Sequence, residues 1–215
     1  MTAINSSIPK TLKPMLEARS IACVRGEREL FSGLHLQVFA GQCLHVRGEN
    51  GVGKTSLLRL LTGLASPEAG EVLWNGESIK KEASQYHSKL LFLGHRDALK
   101  EDLTALENLR MYAAIDGVAL SDEDAFASLW RFGLKGREDL PVNCLSAGQK
   151  KRVLMARMLT RRAQLWILDE PFNALDAHAV TELQDLIGEH LESEGLVVLT
   201  SHQPLTIPGL QVLDL

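Results

Sequence analysis

The sequence predicts an α/β fold: a phosphate-binding core of parallel strands, an antiparallel β subdomain and an inserted α-helical subdomain. Three observations predict it. A strand-patterned run at 43–47 leads into Gly48, Glu49, Asn50, Gly51, Val52, Gly53, Lys54 and Thr55, and then into a helix-patterned run. A second apolar run, Leu165, Trp166, Ile167 and Leu168, ends at Asp169 and Glu170, as a parallel strand buried on both faces does. Between the two, residues 96–157 change character and carry helical patterning.

The elements follow in order. Residues 16–24 read as a strand, Gly26, Glu27 and Arg28 as a turn, and Leu34, Leu36 and Val38 as a second strand in period two. After the phosphate loop, Leu57, Leu58, Leu60 and Leu61 give a helix closed by Gly63. Residues 70–74 and 77–79, joined by Asn75 and Gly76, read as a hairpin. Residues 90–93 form a short buried strand. Helices are expected at 103–114, 122–132 and 146–160, a strand at 165–168, a helix at 176–191 and a strand at 196–200. The residues to 215 add one more short strand. The expected organisation is a flexible polar tail at 1–14 and one domain at 15–215. Its core is 15–95 and 158–215, and its helical lobe is about 96–157.

Composition narrows the class. Of 215 residues, 45% are hydrophobic, enough for a sizeable core. A net charge of -4 does not suggest bulk nucleic-acid binding. Cys23, Cys43 and Cys144 show no metal-ligand spacing and read as reduced, small apolar residues. No CxxCH occurs, so covalent c-type haem on the chain itself is not expected. No apolar run approaches the ~18 residues that cross a bilayer, and residues 1–14 lack the apolar core of a secretory leader. The expectation is a soluble chain, or one held at a membrane by a partner.

The loop at 48–55 sits in a strand–GxxxxGK[ST]–helix context. Its glycines let backbone N–H groups approach phosphate oxygens, and the helix N-terminus adds a positive field. Lys54 reaches the β and γ phosphates; Thr55, with Ser56 beside it, ligates Mg²⁺. The site therefore calls for ATP and Mg²⁺. Asp169, at a strand end, holds Mg²⁺ through water, where open parallel sheets place their ligand groups. Glu170 points elsewhere by strand alternation and is the natural general base for water. His202, just past the strand at 196–200, is placed to bond the γ phosphate and orient that water.

Leu145, Ser146, Ala147, Gly148 and Gln149 open a basic, apolar-patterned helix. Ser146 has two readings. It caps its own helix, or its hydroxyl, the glycine amide and the helix N-terminus grip a phosphate. The helix starts far from Lys54 in the order of elements, so that phosphate belongs to another subunit.

GENGVGKT, LSAGQKKR, LWILDEP, NALD and SH, in that order, resemble the nucleotide-binding subunits of ABC transporters across nearly the whole chain. The resemblance implies a RecA-like P-loop NTPase core of ABC ATPase type. It also implies a head-to-tail homodimer holding two ATP molecules. Each lies between one phosphate loop and the partner's Ser146, Gly148 and Gln149, with Asp176 in the segment joining the two sites. Two positions depart from the common pattern. His95 stands where most members carry a glutamine that touches Mg²⁺; a neutral imidazole can still bond a metal-bound water. Arg25 stands where an aromatic residue stacks on adenine; a guanidinium plane can also stack there, or Arg25 is a solvated turn residue.

FLGHRDALKEDLTALENLR, RGERELFSGL and LSAGQKKR resemble more narrowly the ATP-binding subunits of bacterial cytochrome c maturation haem exporters. That resemblance implies integral membrane partner subunits meeting residues near 95–110, with Leu99 and Leu103 as contacts or core. It implies a peripheral position on the cytoplasmic face of the inner membrane. ATP turnover would drive haem export or release of a haem-loaded periplasmic chaperone. Alternatives are a motor for another small-molecule transporter, a soluble ABC ATPase, and a nucleotide-gated binding module.

Overall fold

The computed structural model describes residues 13–94 and 98–215. The expected tail lies in 1–12 and the expected ligand His95 in 95–97, outside the described residues, apart from Lys13 and Pro14.

Two sheets organise the chain. The antiparallel sheet has the order β2-β1-β4-β5, with β1 at Leu16–Arg25, β2 at Arg28–Val38, β4 at Ala69–Trp74 and β5 at Glu77–Ser78. The parallel sheet has the order β6-β7-β8-β3-β9: β3 is Cys43–Arg47, β6 Leu90–Leu93, β7 Leu165–Leu168, β8 Leu196–Thr200 and β9 Leu210–Asp214. The helices are α1 at Lys54–Leu61, α2 at Ala83–Ser88, α3 at Ala105–Ile115, α4 at Asp122–Arg131, α5 at Ala147–Thr160 and α6 at Ala177–Glu192. Among the described residues, no helix is long and apolar enough to cross a membrane.

Alternation along the parallel strands divides the core. Leu165 and Ile167 of β7 face the cluster shared with α1 and the antiparallel sheet. Trp166 and Leu168 face the cluster shared with α3, α4 and α5. In β8, Leu196 and Val198 take the first side, Val197 and Leu199 the second. This two-sided burial explains why these strands are apolar throughout. Helices α3, α4 and α5 pack on one another.

Three elements differ from the sequence expectation. β2 starts at Arg28, well before Leu34. Its pairing with β1 carries register shifts between Ala18 and Val24, and such bulges break the period of two on which a strand is read. α2 has no counterpart in the sequence expectation. Six residues show no helical period, and tertiary contact decides it: the buried Tyr86 donates its hydroxyl to Leu61 O at 2.6 Å. α3 begins after Thr104, whose side chain forms a capping box with Glu107.

Because β6, β7, β8 and β3 are parallel, their C-terminal ends share one edge. The sheet order seats β7, β8 and β3 side by side there, although 117 residues separate the end of β3 from the start of β7 (165 − 47 = 118, less one).

Candidate active site

The phosphate loop leaves β3 and enters α1. Gly48 has φ 144 and Gly53 has φ 123, backbone that L side chains rarely adopt. A Cβ on Gly48 would stand 2.9 Å from Leu215 O and from Val52 Cγ1. A Cβ on Gly53 would press at 3.3 Å on Leu30 and Phe31 of β2. The loop is thus wrapped tightly between Leu215, which follows β9, and β2. Gly51 is also left-handed, at φ 83. Val52 N donates to Glu49 O at 3.4 Å. Lys54, only 8% exposed, donates Nζ to Gly48 O at 2.8 Å and to Glu49 O at 3.1 Å. An ammonium has three donors, so one remains for an anion. α1 carries no acidic residue in its first turn, which keeps its N-terminal field positive.

Asp169 follows β7 directly and is 4% exposed. Thr55 Oγ1 donates to its Oδ2 at 2.9 Å, and Thr200 Oγ1 donates to its Oδ1 at 2.8 Å. The same Thr200 hydroxyl accepts from Glu170 N at 2.8 Å. Glu170 has φ 52. The strand has ended at Leu168, so this left-handed residue, rather than strand alternation, separates the Glu170 and Asp169 side chains. Glu170 Oε1 is buried and accepts no hydrogen bond among the described residues. His202 Nε2 lies 3.4 Å from it, with the histidine side chain 53% exposed and the glutamate 11%.

These groups converge on a cavity of about 630 Å³. Asn50, Gly51, Gly53, Lys54, Thr55 and Ser56 line it from the loop and the start of α1; Asp169, Glu170 and His202 line it from the strand ends; Arg25 lines it from β1. Arg28 and Asn173 line it too, and the sequence reading missed both. Arg28 is the direct cross-strand partner of Arg25, so pairing register was the only signal for it. Asn173 lies in the loop between β7 and α6, where no strand or helix pattern points to a site role.

Ser146, Gly148, Gln149 and Asp176 do not line this cavity. Ser146 caps α5: its Oγ accepts from Gln149 N at 3.3 Å, and Gln149 Oε1 accepts from Ser146 N at 2.9 Å. A Cβ on Gly148 would lie 3.3 Å from Ala174 O, so the start of α5 abuts the segment before α6. Asp176 caps α6, accepting from Ala179 N at 2.8 Å. That bond, and then Arg152 Nη2 at 3.2 Å, hold its carboxyl below the usual range.

The residues fit a magnesium nucleotide. The glycine cradle leaves room only for backbone, the lysine sits under it, and Thr55 and Asp169 supply the hard oxygen donors that Mg²⁺ takes. The buried Glu170 Oε1 beside them, which accepts no hydrogen bond among the described residues, suits an acceptor for a water proton.

Residues 31–173 match the ABC transporter family. The cytochrome c biogenesis ATP-binding export protein CcmA of Dechloromonas aromatica is 50% identical over 201 residues, 94% of this chain and 98% of that one. The protein of the same name from Escherichia coli K12 is 51% identical over 193 residues, 90% of this chain and 91% of that one. A solved Pyrococcus furiosus ATP-binding protein has a TM-score of 0.81 at 24% identity, covering 93% of this chain and 96% of that one; this likeness concerns the fold. A solved dimeric ATP-binding cassette bound to ADP and Pi has a TM-score of 0.75 at 25% identity, with 88% of each chain covered. Fold and site together define an ATP-hydrolysing cassette. The chain belongs to the ABC transporter family and, within it, to the cytochrome c biogenesis ATP-binding export proteins.

Proposed function

We propose that this chain is the ATPase motor of a membrane ABC complex in c-type cytochrome biogenesis. There it couples ATP turnover to haem export or to release of a haem-loaded periplasmic chaperone. The observation that carries the hydrolytic part is the convergence of Lys54, the Thr55–Asp169 pair, Glu170 and His202 on one cavity. The full-length likeness to cytochrome c biogenesis export proteins supports the biological setting.

Glu170 accepts a proton from water as that oxygen bonds to the γ phosphorus and the bond to ADP breaks. Its Oε1, buried and 3.4 Å from His202 Nε2, suits this role. His202 orients the water and bonds the γ phosphate. Lys54 and the amides of residues 48–53 hold the β and γ phosphates. Thr55, Asp169 and His95 are the proposed holders of Mg²⁺, which neutralises phosphate charge when bound. Arg25 stacks on the base.

Two copies work head to tail. Ser146, Gly148 and Gln149 of one copy close on ATP held by the other, and Asp176 joins the sites. Their absence from the chain's own cavity supports this arrangement. We take 15–215 as one domain, with the helical lobe at about 96–157 meeting integral membrane subunits at the cytoplasmic face of the inner membrane.

Hydrolysis of MgATP by the purified Glu170→Gln variant tests the chemistry. Activity should fall by about 10²–10⁴ with nucleotide binding retained; turnover near the wild-type rate would refute the assignment. Purification from native membranes tests the setting. Recovery with integral subunits that bind haem supports it; recovery with another small-molecule transporter points to the second reading.

A further inference from the structure

We propose that His45 is a positioning residue for hydrolysis, fixing where His202 stands relative to Glu170. The proposal rests on the hydrolytic roles of Glu170 and His202 given above.

His45 lies in β3 at 5% exposure. A strand buried on both faces is normally apolar there, and β3 otherwise reads Cys43, Leu44 and Val46 up to Arg47. Its Nε2 lies 3.0 Å from Ser201 O. A carbonyl only accepts, so Nε2 carries the hydrogen and donates it.

The acceptor is what gives His45 a role. The β3–β8 pairing runs from Cys43↔Val197 to Val46↔Thr200 and stops. Ser201 is the next residue, beyond the last paired position and still only 6% exposed. A buried carbonyl at a strand end needs a partner, and His45 supplies it from the neighbouring strand. The following residue is His202. On the other side, Thr200 Oγ1 ties the same strand end to Asp169 and to Glu170 N. Ser201 Oγ then accepts from Gln203 N at 2.9 Å, folding the turn that carries His202.

The end of β8 is therefore clamped from both sides, to β7 through Thr200 and to β3 through His45. His202 hangs from this clamp with its ring half exposed and its Nε2 3.4 Å from Glu170. A half-exposed side chain takes its position largely from the backbone beneath it. His45 holds that backbone and belongs to the strand that feeds the phosphate loop. Lys54 and His202 are thus referenced to the same element.

A satisfied core histidine with no part in turnover would show the same bond. The two roles differ in what they couple to. His45→Leu removes the donor, and His45→Gln keeps one of similar reach. Each is compared with the full-length wild-type chain and again in a His202→Ala background, reading kcat and KM for MgATP. Positioning predicts that His45→Leu lowers kcat by on the order of 10- to 10²-fold. KM should stay unchanged, as when an interaction made only in the transition state is lost. His45→Gln should recover most of the rate. In the His202→Ala background, His45→Leu should cost nothing further, because the two residues act as one unit. An equal loss in both backgrounds overturns the proposal and leaves His45 a core residue. If His202→Ala alone turns over like the wild type, the role of His202 fails and takes the proposal with it. Should His45→Leu not fold, His45→Gln and His45→Asn replace it, since asparagine keeps the donor but falls short. Faster turnover with glutamine at equal KM supports positioning, and equal rates overturn it.

Discussion

Thr200 shows how much of this site rests on single hydroxyl groups. It is fully buried, donates to Asp169 Oδ1 and accepts from Glu170 N. The second bond helps hold Glu170 at its positive φ. Valine has the same shape and neither bond, so Thr200→Val leaves a buried carboxylate oxygen and a part-buried N–H without these partners. Such losses cost about 1–3 kcal/mol each. Chemical denaturation should show a loss of that order, and kcat should fall while MgATP binding persists; an unchanged kcat would mean Glu170 needs no such support. Lys54, Thr55, Asp169 and Glu170 were legible in the sequence, since motif spacing fixes them within a strand–loop–helix frame. Thr200, His45 and Arg28 were not. Thr200 and His45 act through strand neighbours far apart in the chain, and Arg28 through its register against Arg25 across a hairpin; motif spacing carries no trace of either.

At the scale of elements, α5 is the informative one. Its basic residues are struts rather than a solvated face. Lys150 pairs with Glu101, and Arg152 reaches Asp176 and Glu182 as well as Phe132 O. Arg157, buried, lies 3.6 Å over the Tyr112 ring of α3. Both readings of Ser146 can therefore hold, because the capping box exists in the single chain. Ser146→Ala should cost about 1 kcal/mol through the lost cap and serves as the control. Ser146→Arg should leave MgATP binding by the monomer largely intact while abolishing the closed dimer and turnover, read by sedimentation and phosphate release. Loss of monomer binding would make the cap, or a fold defect, the explanation of the motif. Asn108 in α3 was also missed. Fully buried, it accepts from Lys100 N and donates to the carbonyls of Lys100, Leu103 and Thr104. It thereby fixes the loop in which Leu99 packs partly buried against the core.

For the molecule as a whole, the acid side of the stability profile is set within the core. His190 stacks on Trp166 with ring centroids 3.8 Å apart, and burial lowers its pKa to about 4. A Cβ on Gly195 would meet its ring at 2.3 Å, so a larger residue there would displace the stacked imidazole. The unfolded chain, with a histidine near pH 6.5, binds this proton more readily than the folded one. Stability from the neutral stack is complete above about pH 6.5, declines as pH falls toward 4, and is flat below. His190→Phe should remove on the order of 2–3 kcal/mol of this acid-dependent loss, read from denaturant midpoints at pH 7 and pH 4.5; an unchanged slope would place the proton elsewhere. The sequence by itself determined the nucleotide-binding class, the order of the strands and of every helix but α2, and the positions of Lys54, Asp169, Glu170 and His202 at the ends of the strands that carry them. Those features depend on local backbone geometry and on apolar periods within one segment. Only the tertiary structure decided that β3, β7 and β8 lie side by side and that Thr200 and His45 clamp one strand end. It showed Ser146 capping α5 and not lining the chain's own cavity, where the order of elements put α5 only far from Lys54. Sheet order joins segments more than a hundred residues apart, and no local pattern encodes which neighbour a parallel strand will choose.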